Sequence, residues 1–454
     1  MLYLSDLDAE QTAAVDAVFE QDYTFLIGPM GCGKTVVALT AIEELLAADL
    51  IKRVLVLSPK QVADTVWNKE HLEWDHLKLM SVGIATGDDR DIVFAKPGFY
   101  DVVVTNFEHL KWMKDNDLFK HFDGLCIDES TKLKSHGTWF KSIRREIKNF
   151  KFRLVMTGTP VSENLQQLFY QMFLTDGGET LGRNHDLFLK KWFYAEDFKG
   201  YRWSPHDHSP AALTKLIDPF THVMPDYRDS LPPLTIEHTP APLSSEVMRI
   251  YRDMANTYEA KDVLAKTTAE KTIKLQQIAS GFLYTDNGKT VIDIHNIKMQ
   301  ILDNLIYKIR KMGVGNILII YTFKEELRRL REAYPDLVAL GDYAAVDLVA
   351  DWNAGKIELL AMHGKSGAHG LNLAAGGSRM IMLAPNWSRD IYDQCMARLW
   401  RRGQKMPVTV HVISAENTID DMVILPRLAG KGEIMPLFVK HLENLRDLAA
   451  QDSA

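Results

Sequence analysis

Cysteine is scarce. Cys32, Cys126 and Cys395 are the only three in 454 residues, none lies in a CxxC pair, and the odd count argues against a disulfide framework or a zinc site. Each reads as a small core residue rather than a reactive thiol. No uninterrupted apolar run approaches the eighteen or so residues that span a bilayer, so no membrane partner is expected. Residues Met1 to Asp6 carry no basic stretch ahead of apolar ones, and the expectation is a cytoplasmic protein. Excess positive charge is missing too: the net charge is −7, which gives no global sign of a nucleic-acid partner. Internal repeats and low-complexity segments are absent.

What is present describes an ordinary globular chain, with 46% apolar and 25% charged residues, long enough for two domains of about 200 residues each. Short apolar runs recur at 53–57, 101–104, 125–127 and 153–156, and again at 317–320, 359–362, 380–383 and 408–413. Unbroken apolar runs of this length predict strands buried on both faces, and the helical periodicity between them, as at 323–332 and 347–353, predicts alternating β/α units. Eight of the 17 prolines fall between Ser204 and Pro242, which marks a joint between a domain at 1–230 and one at 231–454. From Leu243 to Met312 the pattern is mainly helical, with Ile273, Leu275, Ile278 and Leu283 on one apolar face. Three stretches, Lys141 to Arg153, Lys308 to Arg331 and Arg398 to Lys405, are rich in Lys and Arg. Alone they read as solvated faces; they count as a phosphate track only with motifs.

One such motif is Gly28-Pro29-Met30-Gly31-Cys32-Gly33-Lys34-Thr35, a complete GxxxxGK[ST] loop between the apolar stretch Phe25-Leu26-Ile27 and a helical segment, Val36 to Ala48. A triphosphate needs several backbone N–H groups at once, and Gly28, Gly31 and Gly33 permit the curl that aims them inward. Lys34 then reaches the β- and γ-phosphates, and Thr35 holds Mg²⁺. Leu125-Cys126-Ile127 ends in Asp128-Glu129. These carboxylates suit a Walker B pair, Asp128 on the metal ion and Glu129 polarising the attacking water, although Asp-Glu-Ser is also good first-turn helix chemistry.

Thr157-Gly158-Thr159-Pro160 follows another predicted strand. In this order the phosphate loop, Asp128-Glu129-Ser130-Thr131 and Thr157 to Pro160 resemble motifs I, II and III of superfamily 2 helicases. Ser366 to Leu373 resembles motif V, and Gln394 to Gln404 resembles motif VI in the form of the Swi/Snf-like branch, the double-stranded-DNA translocases. Weaker matches extend the resemblance from about Leu7 to Ile419: Val54 to Trp67 (motif Ia), Asp101 to Leu110 (motif Ib), Ile217 to Pro233, and Leu275 to Ile278.

The resemblance implies two RecA-like α/β domains with an ATP cleft between them. It implies ATP and Mg²⁺ as cofactors, Gln11 reading adenine, and Gly370 and Gln394 as further nucleotide contacts. Arg398 and Arg401, three apart on a predicted helix, would serve as arginine fingers, with Lys34, Asp128 and Glu129 completing the catalytic set. Lys60, Thr105, Asn106, Thr322 and Ser366 would touch the backbone of double-stranded DNA without reading its sequence. A monomeric motor in a bacterial cytoplasm or an infected host cell is expected. The chain departs from the family at Ser130-Thr131, where Ala-His is usual, so the contact of that histidine with motif III must be absent or replaced by a hydroxyl. Ala368, Ala397 and Trp400 depart too. Two other readings stay open: a strand-separating helicase, kept alive by Trp139, Phe323, Trp387 and Trp400 as stacking platforms, and a scaffold that binds ATP as a switch with negligible hydrolysis.

Overall fold

The computed structural model describes residues 1–430 apart from 97, 134, 159, 161–164, 199, 201, 286, 287, 289, 343, 344 and 368–370. Contacts divide the chain into two compact units between Ser230 and Leu231.

The main sheet of the first unit holds seven strands: β1 (Tyr23–Ile27), β2 (Val54–Ser58), β3 (Val82–Ala85), β4 (Val102–Asn106), β5 (Gly124–Ile127), β6 (Phe152–Thr157) and β7 (Thr221–Val223). They form one sheet in the order β3-β4-β2-β5-β6-β1-β7, every pairing parallel. Successive residues of a strand face opposite sides. Val54 and Val56 therefore pack with Leu26, Cys126 and Leu154 on one face, and Leu55 and Leu57 with Phe25, Val103 and Leu125 on the other. Both faces being covered, each such side chain contributes about 1.5–3 kcal/mol of burial, which is why these strands are apolar throughout. Helix α1 (Ala9–Phe19) is capped by Asp8, and α2 (Lys34–Ala47) begins at the end of the phosphate loop. Helix α3 (Gln167–Asp176) follows β6 and is buried along its whole length.

The second unit repeats the plan with β8 (Leu234–Ala241), β9 (Asn316–Tyr321), β10 (Val338–Ala339), β11 (Leu359–His363), β12 (Gly377–Met382) and β13 (Val408–Ala415), in the order β8-β13-β12-β9-β11-β10 and again parallel. Ile317 and Ile319 point into one core, Leu318 and Ile320 into the other. Between β8 and β9 stand α4 (Ser245–Thr257), α5 (Thr268–Ala279) and α6 (Ile297–Met312). Helices α7 (Lys324–Ala333), α8 (Ala345–Asn353) and α9 (Arg389–Met396) follow. Each unit is a doubly covered parallel sheet, the RecA-like arrangement. No helix among the described residues is long and apolar enough to cross a membrane.

The boundary between the units, Ser230/Leu231, falls inside the proline-rich stretch, which also supplies β7 to the first sheet and β8 to the second. Pro240 is tolerated in β8 because this is an edge strand, where a missing N–H breaks no ladder on the open side. Ile273 does not share the apolar face of α5, for it is 48% exposed while Leu275 and Ile278 are fully buried. Two residues on a helix are about 200° apart, so Ile273 and Leu275 point oppositely. All three cysteines are free and buried, as read from the sequence.

Candidate nucleotide and nucleic-acid sites

Because every strand of the first sheet runs the same way, the segments that leave its C-terminal edge gather on one side, where α/β sheets bind ligands. The phosphate loop leaves β1, the Asp128-Glu129 turn leaves β5, and Thr157 ends β6. Within the loop, Gly31 and Gly33 adopt φ of +80° and +92°, conformations that side chains disfavour. A Cβ on Gly33 would stand 2.2 Å from Gln11 Nε2. Lys34 opens α2 and its Nζ donates to the carbonyl oxygens of Gly28 and Pro29 at 2.6 and 3.0 Å. Thr35 follows it, half-buried in the first turn. The Gly28 N–H donates to Thr157 O at 3.1 Å, tying the loop to the end of β6.

Gln11 is buried and braces this loop. Its Nε2 donates to Cys32 O at 3.2 Å, while its Oε1 accepts from the Asp8 N–H at 3.0 Å, closing a capping box on α1. Both ends of the carboxamide are thus engaged with protein.

Asp128 is buried and its Oδ2 accepts from Trp67 Nε1 at 3.0 Å and Ser58 Oγ at 3.3 Å. Burial raises its carboxyl above the ordinary value, opposed by the Trp67 hydrogen bond, the Lys34 charge and Ser58. Glu129 is also raised, by burial first and then by the neighbouring Asp128, with Lys34 opposing. Its backbone lies at φ +62°, a conformation that costs a non-glycine residue about 1–2 kcal/mol. Strain of this kind persists where the surroundings over-determine it.

In the second unit α9 ends at Met396, and the chain then runs through turns to Gly403 (φ +91°). Arg398 and Arg401 therefore do not share a helix face, which corrects the sequence expectation. The reason is local. Arg398 is buried, donating from Nε to Gln394 O and from Nη1 to Leu371 O, both at 3.0 Å. Gln404 then clasps the turn, its Nε2 at 3.0 Å from the carbonyl oxygens of Ala374, Gly377 and Leu399. Arg401 is partly exposed, and Gln394 is buried. Gly370 and Thr159 lie outside the described residues.

A model of the SNF2-related domain matches residues 21–292, more than half of the chain. The chain belongs to the SNF2-related family. It is 31% identical over 440 residues to protein p41 of Acyrthosiphon pisum secondary endosymbiont phage 1, covering 91% of this chain and 94% of that protein. It is 25% identical over 412 residues to the SWI/SNF-related matrix-associated actin-dependent regulator of chromatin subfamily A member 1 of Homo sapiens, covering 82% of this chain and 37% of that protein. The SWI2/SNF2 ATPase core of Sulfolobus solfataricus, solved in complex with dsDNA, is similar at 20% identity and a TM-score of 0.45 over 94% of this chain and 91% of that one.

The SNF2-related chain treats its expected nucleic-acid contacts unevenly. Lys60 is exposed beyond β2. Thr105 is instead fully buried, its hydroxyl donating to Ala85 O at 2.8 Å, and Asn106 is buried with Nδ2 on Glu108 at 2.6 Å. Both side chains are thus engaged within the first unit. Thr322 is half-buried, its backbone N–H donating to Glu326 at 2.8 Å. Ser366 falls in a short helical turn, Gly364–Gly367, and its side chain lies outside the described set. The aromatics are packed: Trp139 stacks on Phe107, Phe323 meets Phe282 edge-on, and the indole N–H groups of Trp387 and Trp400 donate to Gln276 and to Pro232 O.

Sequence reasoning missed Gln171, Met224 and Tyr227. Met224 packs against Gly28 and Cys32, and the Tyr227 hydroxyl donates to Met30 O at 2.6 Å. Nothing local signals these contacts, since Met224 and Tyr227 reach the phosphate loop across separations of 192 and 197 residues and Gln171 reaches Ser130 across 41.

Proposed function

We propose that this chain is an ATP-dependent translocase that couples Mg-ATP hydrolysis to movement along double-stranded DNA. The observation that carries the reading is geometric: β5, β6 and β1 are adjacent and parallel, so Asp128-Glu129, Thr157 and the phosphate loop leave the same edge of one sheet, and the Gly28 N–H donates to Thr157 O at 3.1 Å. Loop N–H groups and Lys34 would hold the phosphates, and Glu129 would orient water. Thr35 and Asp128 offer the hard oxygen donors that Mg²⁺ prefers, and the metal would neutralise charge on the β- and γ-oxygens. Residues 1–230 would be the nucleotide-binding domain and 231–454 the second motor domain, which supplies Arg401 to the transition state.

Duplex DNA is favoured as the track by the Swi/Snf-like form of motifs V and VI and by a relative named for regulating chromatin.

The test is an ATPase titration against blunt duplex DNA, single-stranded DNA, duplex RNA and single-stranded RNA. Duplex DNA of any sequence is expected to stimulate hydrolysis, less so as salt rises, because phosphate contacts release counterions. Stimulation by single-stranded RNA alone would establish the strand-separating class instead.

A further inference from the structure

Ser130, the residue after the carboxylate pair, is fully buried, and its hydroxyl donates to Gln171 Oε1 at 2.7 Å. Gln171 Nε2 donates onward to Pro160 O at 2.5 Å. Gln171 is itself fully buried on α3, where Leu168, Met172, Phe173 and Leu174 supply apolar core. A carboxamide in such a place costs stability unless both its ends are hydrogen bonded, and leucine would fill the volume without that demand. Here both ends are used, and they join two particular segments. One begins at Glu129, whose left-handed backbone leaves the direction of its carboxylate dependent on how the next peptide is held. The other follows β6, whose last residue, Thr157, accepts the Gly28 N–H of the phosphate loop at its carbonyl oxygen. The links run in series: phosphate loop, end of β6, Gln171, Ser130, Glu129.

We propose that Gln171 is a positioning residue that fixes the Glu129 turn against the Thr157–Pro160 loop and passes a displacement of either to the other. In this chain Ser130 and Gln171 together take the place of the missing motif II histidine. Thr131 does not: its hydroxyl donates to Glu129 at 3.3 Å. The proposal rests on the ATPase reading above.

The experiment compares Gln171→Met, Ser130→Ala, the double variant and Ser130→Thr by melting temperature, by KM for ATP and by kcat on saturating duplex DNA. Gln171→Met keeps the volume and removes both hydrogen bonds. KM is expected to stay within about twofold of wild type while kcat falls roughly tenfold in each single variant. The double variant should also fall only roughly tenfold, because both changes cut one link. Ser130→Thr, which keeps the hydroxyl, should retain kcat within about twofold. Wild-type kcat in folded Gln171→Met or Ser130→Ala overturns the proposal, as does a double variant slowed by the product of the singles, roughly a hundredfold. If Gln171→Met does not fold, the contrast between Ser130→Ala and Ser130→Thr decides. Failure of the ATPase reading shows elsewhere, as absent hydrolysis in the wild type, and removes this proposal with it.

Discussion

The Arg398 guanidinium donates to the carbonyl oxygen of Leu371, 27 residues earlier in the chain, at 3.0 Å. That hydrogen bond, with the one to Gln394 O, makes Arg398 a clasp inside the second unit that holds the motif V segment against the motif VI turn. The two arginines that the sequence groups together thus stand in different surroundings, and their substitution should separate stability from chemistry.

Arg398→Ala leaves two carbonyls without their charged donor, and about 2 kcal/mol or more of stability should be lost. Lysine cannot bridge both carbonyls in a fixed fork, so Arg398→Lys should restore only part of it. Arg401→Ala should leave ATP affinity within a small factor of wild type and slow hydrolysis on saturating duplex DNA roughly a thousandfold, the scale of a lost arginine finger. Thermal melting and steady-state kinetics on the three variants check this. Normal turnover in Arg401→Ala would show that the transition state is served by another residue.

Lys34→Ala should nearly abolish ATP binding, whereas Glu129→Gln should bind ATP and hydrolyse it at least about a hundredfold more slowly. Glu129→Gly would lose the chemistry too, yet relieve the left-handed backbone, so its stability should match or exceed wild type by about 1 kcal/mol. Calorimetric ATP titration, turnover and denaturant midpoints separate the three. Wild-type turnover in Glu129→Gln would remove the water-orienting role.

His295 lies two residues before α6, its Nε2 2.9 Å from Ile278 O and its Nδ1 accepting from the Ile297 N–H at 3.3 Å. Both bonds require the neutral ring protonated on Nε2. Burial, aided by the charges of Lys298 and Arg329, lowers its pKa to about 4. The unfolded chain, with an ordinary histidine near 6.5, binds the proton first as pH falls, so stability is lost between about pH 6.5 and 4 and levels off below. The loss attributable to this group is at most about 3 kcal/mol. Denaturant unfolding of His295→Gln against wild type across that range tests it: the difference between them should shrink as pH falls.

The eight internal apolar runs named from the sequence are all strands in the structure, because a parallel strand covered on both faces must be apolar at every position and so announces itself locally. The phosphate loop and the carboxylate pair were equally legible, since one is contiguous and the other directly follows its strand. Thr105 and Asn106 show the limit. Their motif is readable, but the Thr105 hydroxyl is taken by Ala85 O on the neighbouring strand, 20 residues earlier, a pairing set by sheet order that no local pattern records.

Composition and contiguous motifs thus determined the α/β class, the GxxxxGK[ST] loop and the family, because each depends on residues close together in the chain. Tertiary structure alone decided that Arg398 clasps Leu371, that the proline-rich stretch becomes two edge strands, and that Ser130 meets Gln171, 41 residues on. These are pairings between distant segments, satisfied because buried donors and acceptors must find partners, and the identity of each partner is set by which strands lie side by side.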